Sequence, residues 1–364
     1  DFDKLFRLER PLFPLLGHSD IEDRCGRQIR ERRHHLDAFG LVGSGHGQDR
    51  QRVERWGVGR SVGMFHRFEI VDGGAPDDQL GGNINTLRDL AFLADSLNCV
   101  TVMDTAVVVV SAVAHVEVVT ERMWNFAEER GLARVVFINM MDRDRASWAD
   151  CLKSVHDDLS TQGKVAALQI PMGEERSFCG VVDLLSHKAF KYADDASGSF
   201  EVVDIPADLQ DKAEEARATL MDDIVESDEA LMEKYLEEGE LSEEEIFGAL
   251  AKAVAEGSLI PVLCGSASAN IGVAQLLDVL AKACPSPEDR PPLKTTKEGE
   301  DVVIEADAEG PLAAQVFKTV HDQFSGKLTF FRLWRGTLAP DSGFVNVTKD
   351  TKERFGQILF KLGK

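Results

Sequence analysis

The sequence has no C-x-x-C pair, no apolar run long enough to cross a membrane, and no excess of positive charge. Each absence closes off a class of protein. The 6 cysteines, at positions 25, 99, 151, 179, 264 and 284, lack the spacing of a zinc site or a dithiol motif, and they read as the reduced thiols of a cytoplasmic protein. The most apolar stretch is interrupted by His115 and Glu117, so no membrane span and no signal peptide are expected. A formal net charge of −22 argues against nonspecific nucleic-acid binding, which depends on lysine and arginine displacing counterions. Docking on a larger assembly through selected patches stays open.

What is present can build a sizeable core. The chain is 43% hydrophobic over 364 residues, which predicts two or more domains. Residues 106–111 (AVVVVS) are a continuous β-branched run between polar flanks, the pattern of a strand buried on both faces of a parallel sheet. A crossover helix is expected over 116–130, with Val119, Met123, Trp124 and Phe126 or Ala127 on one face and Glu121, Arg122, Glu128 and Glu129 on the other. Gly131 stops it as the residue after the C-cap. Residues 134–138 (RVVFI) and 259–263 (LIPVL) predict two further buried strands, the second followed by a helix over 271–284 with Asn270 as its N-cap.

Two of these strands end in short polar motifs. Asn139-Met140-Met141-Asp142 follows one and Gly265-Ser266-Ala267 the other, Gly265 standing 123 positions after Asp142. The carboxyl edge of an open α/β sheet is where such folds bind ligands. Asn and Asp after a strand are also ordinary turn residues, so the rest of the chain must decide. Blocks 113–142, 170–185 (IPMGEERSFCGVVDLL), 231–241, 260–292 and 310–356 resemble, in the same order, the bacterial elongation factor G family of translational GTPases. The two motifs resemble that family's guanine-reading loops.

The resemblance implies an α/β fold: a doubly wound, P-loop-GTPase-like sheet with an inserted α/β subdomain, followed by a truncated antiparallel β-barrel. Small GTPases join the two loops by one strand and one helix, too little to fill the present gap. The insert is expected over about 147–257, with strands at 165–170, 178–184, 187–192 and 200–205. Helices follow at 207–226 and 228–237, and a third opens on the capping-box pattern Ser242-Glu243-Glu244-Glu245. Residues 1–103 then take the N-terminal position of the GTPase domain, 104–285 its C-terminal part, 286–310 a linker and 311–364 the barrel. Pro285, Pro287, Pro291 and Pro292 stiffen the start of that linker. In the barrel, strands are expected at 312–320, 327–334 and 344–347, and an unpaired final edge is expected.

Site residues come with the resemblance. Asp142 would accept the N1 and N2 protons of guanine in bidentate fashion. Ser266 and Ala267 would set a backbone N–H against O6, and Asn139 would tie the two loops together. An adenine there would leave buried groups unpaired at about 1–3 kcal/mol each. The implied ligands are GTP or GDP with Mg²⁺, and the implied partner is the ribosome, its RNA and its proteins, met by a monomer. Residues 201–257 hold 19 acidic and 4 basic side chains, either a set of solvated helix faces or a contact surface for a basic ribosomal protein.

Several parts of the family pattern are missing. No G-x-x-x-x-G-K-[ST] occurs to cradle phosphates; the nearest runs are 43–49 and 17–23. Asp72-Gly73-Gly74-Ala75 lacks the last glycine of Asp-x-x-Gly. No catalytic or metal-binding residue is assigned, and His18, His34, His35, His46 and His66 are read as incidental. Met140 stands where the family has lysine, and His115 where it usually has glycine, which is expected to strain that turn. Residues 1–100 hold 13 arginines and one lysine with little apolar periodicity. The competing expectation is therefore a ribosome-binding module deficient in nucleotide, or a defective gene product without the phosphate loop.

Overall fold

The structure is a computed structural model, and it describes residues 40–43, 68–72, 96–160, 162–226, 229–238, 241–297, 300–322 and 326–359. The stretches 17–23 and 44–49, the arginine cluster 24–30, residues 73–75, and His18, His34, His35, His46 and His66 lie outside the described residues. The chain divides into two units: of the described residues, 68–285 fall in the first, and 40–43 together with 286–359 in the second; each is treated by itself.

The first unit is organised by five parallel strands. They are β2 (Phe68–Asp72), β3 (Thr105–Ser111), β4 (Ala133–Asn139), β5 (Lys164–Ala167) and β10 (Leu259–Cys264), in the spatial order β2-β3-β4-β10-β5. Side chains alternate between faces with period two. One face of the sheet therefore carries Val107, Val109, Val135, Phe137, Leu259 and Leu263. The other carries Val108, Val110, Val136, Ile138, Ile260, Val262 and Cys264. Both sets are buried, which explains why the strands read as unbroken apolar runs rather than as alternating ones.

Helices cover both faces. α1 (Val118–Glu129) and α2 (Trp148–Leu159) lie over the second face, seating Trp124, Trp148, Cys151, Val155 and Leu159 against it. Each such side chain contributes about 1.5–3 kcal/mol of burial. On α1 the buried positions are Thr120, Met123, Trp124 and Ala127, an i, i+3, i+4, i+7 stripe. Val119, expected on that face, is 40% exposed, because the stripe runs one position further round and Thr120 takes its place. Gly131, at φ +62°, closes the helix with its amide on Glu128 O, as expected of the residue after the C-cap.

The first face is covered by α3 (Gln210–Val225), α5 (Glu243–Glu256) and α6 (Val273–Ala283), with α4 (Glu229–Glu238) between the first two in sequence. α5 starts on a complete capping box, in which Ser242 accepts from the Glu245 amide and the Glu245 side chain returns to Ser242 N. α6 starts differently. Its N-cap is Gly272 at φ +79°, with no side-chain cap, and Asn270 sits two residues earlier at φ +56°. Asn270 is thus not the N-cap, because the helix begins at Val273 and Asn270 lies in the turn before it, its amide bonded to Ala267 O.

A second sheet of this unit is an antiparallel meander: β6 (Gln169–Met172), β7 (Gly180–Asp183), β8 (Lys188–Tyr192) and β9 (Phe200–Val203). A single strand was expected over 165–170, but the chain changes sheets at Leu168. Its amide donates to Val262 O at 2.9 Å while its carbonyl accepts from Leu184 N at 2.9 Å. Residues 148–167 accordingly belong to the parallel sheet and its cover, and the meander begins at Gln169.

The second unit is antiparallel throughout. β11 (Leu293–Lys297) and β12 (Glu300–Ile304) form a hairpin inside the stretch expected to be linker. β13 (Ala313–Asp322) and β14 (Gly326–Arg335) form a long hairpin, and β15 (Gly343–Asn346) and β16 (Thr351–Arg354) a short one. Strand β1 (Gly40–Gly43), expected with the nucleotide domain, pairs instead between β14 and β17 (Gln357–Leu359). It pairs with the edge of β14 that β13 leaves free, and β17, the last described strand, is an outer strand of that sheet. Phe355 packs on Phe331 and Phe344, and the Arg332 guanidinium lies 3.9 Å from the Trp334 ring centre.

Candidate functional site

The carboxyl ends of β3, β4 and β10 lie side by side, and each carries polar residues. Register places Ser111 against Asn139, and Cys264 against Ile138. The Ser111 hydroxyl accepts from the amides of Val113 and Ala114 at 3.2 Å each, which folds the chain into a tight turn ending at His115. The His115 amide donates to Ser111 O at 2.8 Å, and its φ is +62°. A left-handed backbone favours glycine, so the strain expected at His115 has a geometric basis.

Asn139 is the last residue of β4 and is 4% exposed. Its Oδ1 accepts the Ala267 amide at 2.9 Å, and the Met141 amide donates to Gly265 O at 3.2 Å. These two bonds join the β4 and β10 loops directly. Met140 takes the left-handed conformation at φ +67°, which sends the chain back toward β10. Gly265 is required by close packing: a Cβ there would lie 2.3 Å from Ile271 O and 2.7 Å from the Phe137 ring. Ser266 and Ile271 exchange backbone hydrogen bonds at 3.0 and 2.9 Å, closing 266–271 into a compact loop, and the Ser266 hydroxyl accepts from the Ala269 amide at 3.2 Å.

Asp142 sits at the rim. Its Oδ2 accepts from the Ser268 hydroxyl at 3.4 Å, while Oδ1 is shielded from solvent and makes no hydrogen bond among the described residues. Buried polar atoms without partners are rare and ask for an explanation. A ligand donor is one.

All four residues expected at the site, Asn139, Asp142, Ser266 and Ala267, stand within this cluster. The roles divide differently from the expectation. The Ser266 amide is bonded to Ile271 O and the Ala267 amide to Asn139 Oδ1, so a guanine O6 at this turn must share the Ala267 amide or take that of Ser268. Ser268, Ser111 and Gly272 were not anticipated. A hydroxyl two positions past Ser266 was a visible signal for the first; the other two depend on register and on a close approach, where a Cβ on Gly272 would lie 2.3 Å from Cys264 O. Cys264, wholly buried at the end of β10, has its thiol pKa pushed up by burial and is inert at neutral pH.

The cluster fits a purine base with adjacent N–H donors. Phosphates and Mg²⁺ are another matter. Among the described residues no group of His, Cys, Asp and Glu stands together to hold a metal ion, and the residues of this cluster offer no cradle for phosphate. No helix among the described residues is long and apolar enough to cross a membrane.

A doubly wound parallel sheet with loop-borne polar groups at its carboxyl edge defines a nucleotide-binding α/β protein. The family model of the elongation factor Tu GTP-binding domain matches residues 89–286, more than half of the chain. The chain belongs to that family, the translational GTPases. Among solved structures, the protein ttk003000868 from Thermus thermophilus is similar at 31% identity with a TM-score of 0.61 over 72% of this chain. The chain spans 36% of that protein's length.

Proposed function

We propose that this chain is a guanine-nucleotide-binding portion of an elongation factor G-type translational GTPase. The unpartnered, shielded Oδ1 of Asp142 beside the Asn139–Ala267 bond carries the reading. Asp142 accepts the N1 and N2 protons of guanine, Asn139 locks the two loops, and Ser266 and Ala267 set the turn that faces O6. Guanine pairs with Asp142, whereas adenine brings an amino group where O6 should be and lacks the N1 proton. In the whole factor, GTP with Mg²⁺ drives ribosomal translocation or recycling, and the partners are ribosomal RNA and proteins, met by a monomer in the cytoplasm. Phosphate and metal binding enter through the family alone.

A second reading is favoured by one observation, the lack of G-x-x-x-x-G-K-[ST] anywhere in the sequence. It is a ribosome-binding module that reads no nucleotide, or a defective product of a GTPase gene. Titration of the full chain with fluorescent GDP and GTP in Mg²⁺, with ATP as competitor, separates the two. Micromolar binding that ATP does not displace supports the first reading. No uptake at millimolar nucleotide overturns it in favour of the second.

A further inference from the structure

The loop after β10 is held from behind by the meander. Tyr192 ends β8 and pairs across the hairpin with Phe200, the first residue of β9, their rings 5.3 Å apart. The turn between them is closed by its own hydrogen bonds: Ala193 N to Ser199 O, Ser197 N to Asp195 Oδ1 and Ser199 N to Ser197 Oγ. This hairpin tip lies against the Ser266–Ile271 loop. Gly198 approaches Asn270 so closely that a Cβ would fall 2.3 Å from Asn270 Nδ2.

The Tyr192 hydroxyl reaches further, to the start of α6. It donates to Gln275 Oε1, in the first turn of α6. Tyr192 and Gln275 are 6% and 5% exposed. The first turn of any helix leaves amides without intrahelical partners, and α6 has no side-chain cap of its own. Tyr192, 83 residues away in sequence from Gln275, instead ties that first turn to the meander through the Gln275 side chain.

We propose that Tyr192 is a positioning residue for guanine recognition: through Gln275 and the start of α6 it fixes the loop that carries Ser266, Ala267 and Ser268. The inference rests on the base-recognition reading above, and it assigns the O6 side of the base to a residue of the meander. Asp142, which reads N1 and N2, is carried by the β4 loop, and its one side-chain bond to the fixed loop is the long 3.4 Å contact from Ser268, so the O6 side of the base depends on Tyr192 more than the N1 and N2 side does.

The test compares Tyr192→Phe with the unaltered full chain in two measurements. The first is amide hydrogen exchange. The Ser266 and Ile271 amides, mutually bonded in the structure, exchange about tenfold faster in the variant, the loss of one buried hydrogen bond. The Val107–Val110 amides of β3 keep their rates, showing that the sheet is intact. The second is affinity for GDP, 6-thio-GDP and IDP. Sulfur is a poorer acceptor than O6, and inosine lacks the 2-amino group. The variant binds GDP about tenfold more weakly and its preference for GDP over 6-thio-GDP shrinks, while its preference for GDP over IDP holds.

Gln275→Met guards against a variant that simply fails to fold: it removes the acceptor from the other side, and the double variant should lose no more than either single one. Unchanged exchange at 266 and 271, or equal loss of both nucleotide preferences, overturns the role of Tyr192. An unaltered chain that takes up no GDP at millimolar concentration sinks the base-recognition reading and this proposal's guanine part, and the exchange rates then decide only whether Tyr192 holds the loop.

Discussion

Asn139 Oδ1 accepts the Ala267 amide at 2.9 Å across 128 positions of sequence. The acceptor is 4% exposed, so the bond works in a setting where a lost partner is not replaced by water. Asn139→Ala removes the acceptor and leaves the Ala267 N–H unsatisfied, at a cost of about 1–3 kcal/mol. Calorimetry should place the unfolding midpoint about 2–4 °C lower per kcal/mol lost. Exchange of the Ala267 amide should accelerate at the same time. An unchanged midpoint together with a still-protected Ala267 amide would show that the bond is not made in solution.

That bond also marks where sequence reading stopped. The strands β3, β4 and β10 were legible because both faces are buried, which leaves continuous β-branched runs. The two motifs were legible because they close those strands. The partner of each backbone amide was not, since Ser266 and Ala267 could equally have faced outward until the 266–271 loop was seen to close on itself. Leu168 shows the same limit: one apolar run serves two sheets, and periodicity carries no mark of the residue at which partners change. Asn270 has the composition of an N-cap, yet the 266–271 loop uses it two residues before the helix starts and Gly272 takes that role. Tyr192 gives no local signal, because its meaning lies in a helix far along the chain.

His115 occupies the left-handed region at φ +62°, where a side chain meets its own backbone. His115→Gly should therefore stabilise the protein by about 1 kcal/mol, the usual penalty for a non-glycine residue in that conformation. The gain is partly offset because glycine also frees the unfolded chain. Denaturant unfolding measures the net effect as a higher midpoint at unchanged slope. A lower midpoint would mean that the imidazole makes contacts worth more than the strain.

Glu245 closes the capping box of α5 and also meets Lys234, with Nζ to Oε1 at 2.6 Å. The Lys234 ammonium first, and then the Ser242 amide and hydroxyl, hold its carboxyl down to about 2 against an ordinary 4.5. A depressed carboxylate pKa contributes stability that is complete above the unfolded value and disappears as pH falls through the folded one. This contribution should fade between about pH 4.5 and 2. Glu245→Gln keeps the shape but not the charge, so it should be less stable than the parent at pH 7 and equal to it near pH 2. A difference that persists at the acid end would assign the effect to packing rather than to the carboxylate.

The unpartnered Oδ1 of Asp142 makes a prediction about base identity. A carboxylate accepts from both the ring N–H and the exocyclic amino group of guanine. The substitution Asp142→Asn keeps one acceptor and replaces the other with an amide N–H₂ that faces the guanine amino group donor to donor. GDP affinity should fall by about 10- to 100-fold, as one buried donor goes unpaired. Xanthine carries a carbonyl in place of that amino group, so the two halves of the new side chain match its ring N–H and its extra acceptor. Xanthosine diphosphate should therefore bind the variant better than the parent, and GDP the parent better than the variant. The Ser268 hydroxyl, now donating to Oδ2 at 3.4 Å, can turn to accept from the new amide. Competition titrations with the two diphosphates on both proteins decide it. A variant that loses GDP without gaining xanthosine diphosphate would mean that Asp142 shapes the loop instead of reading the base.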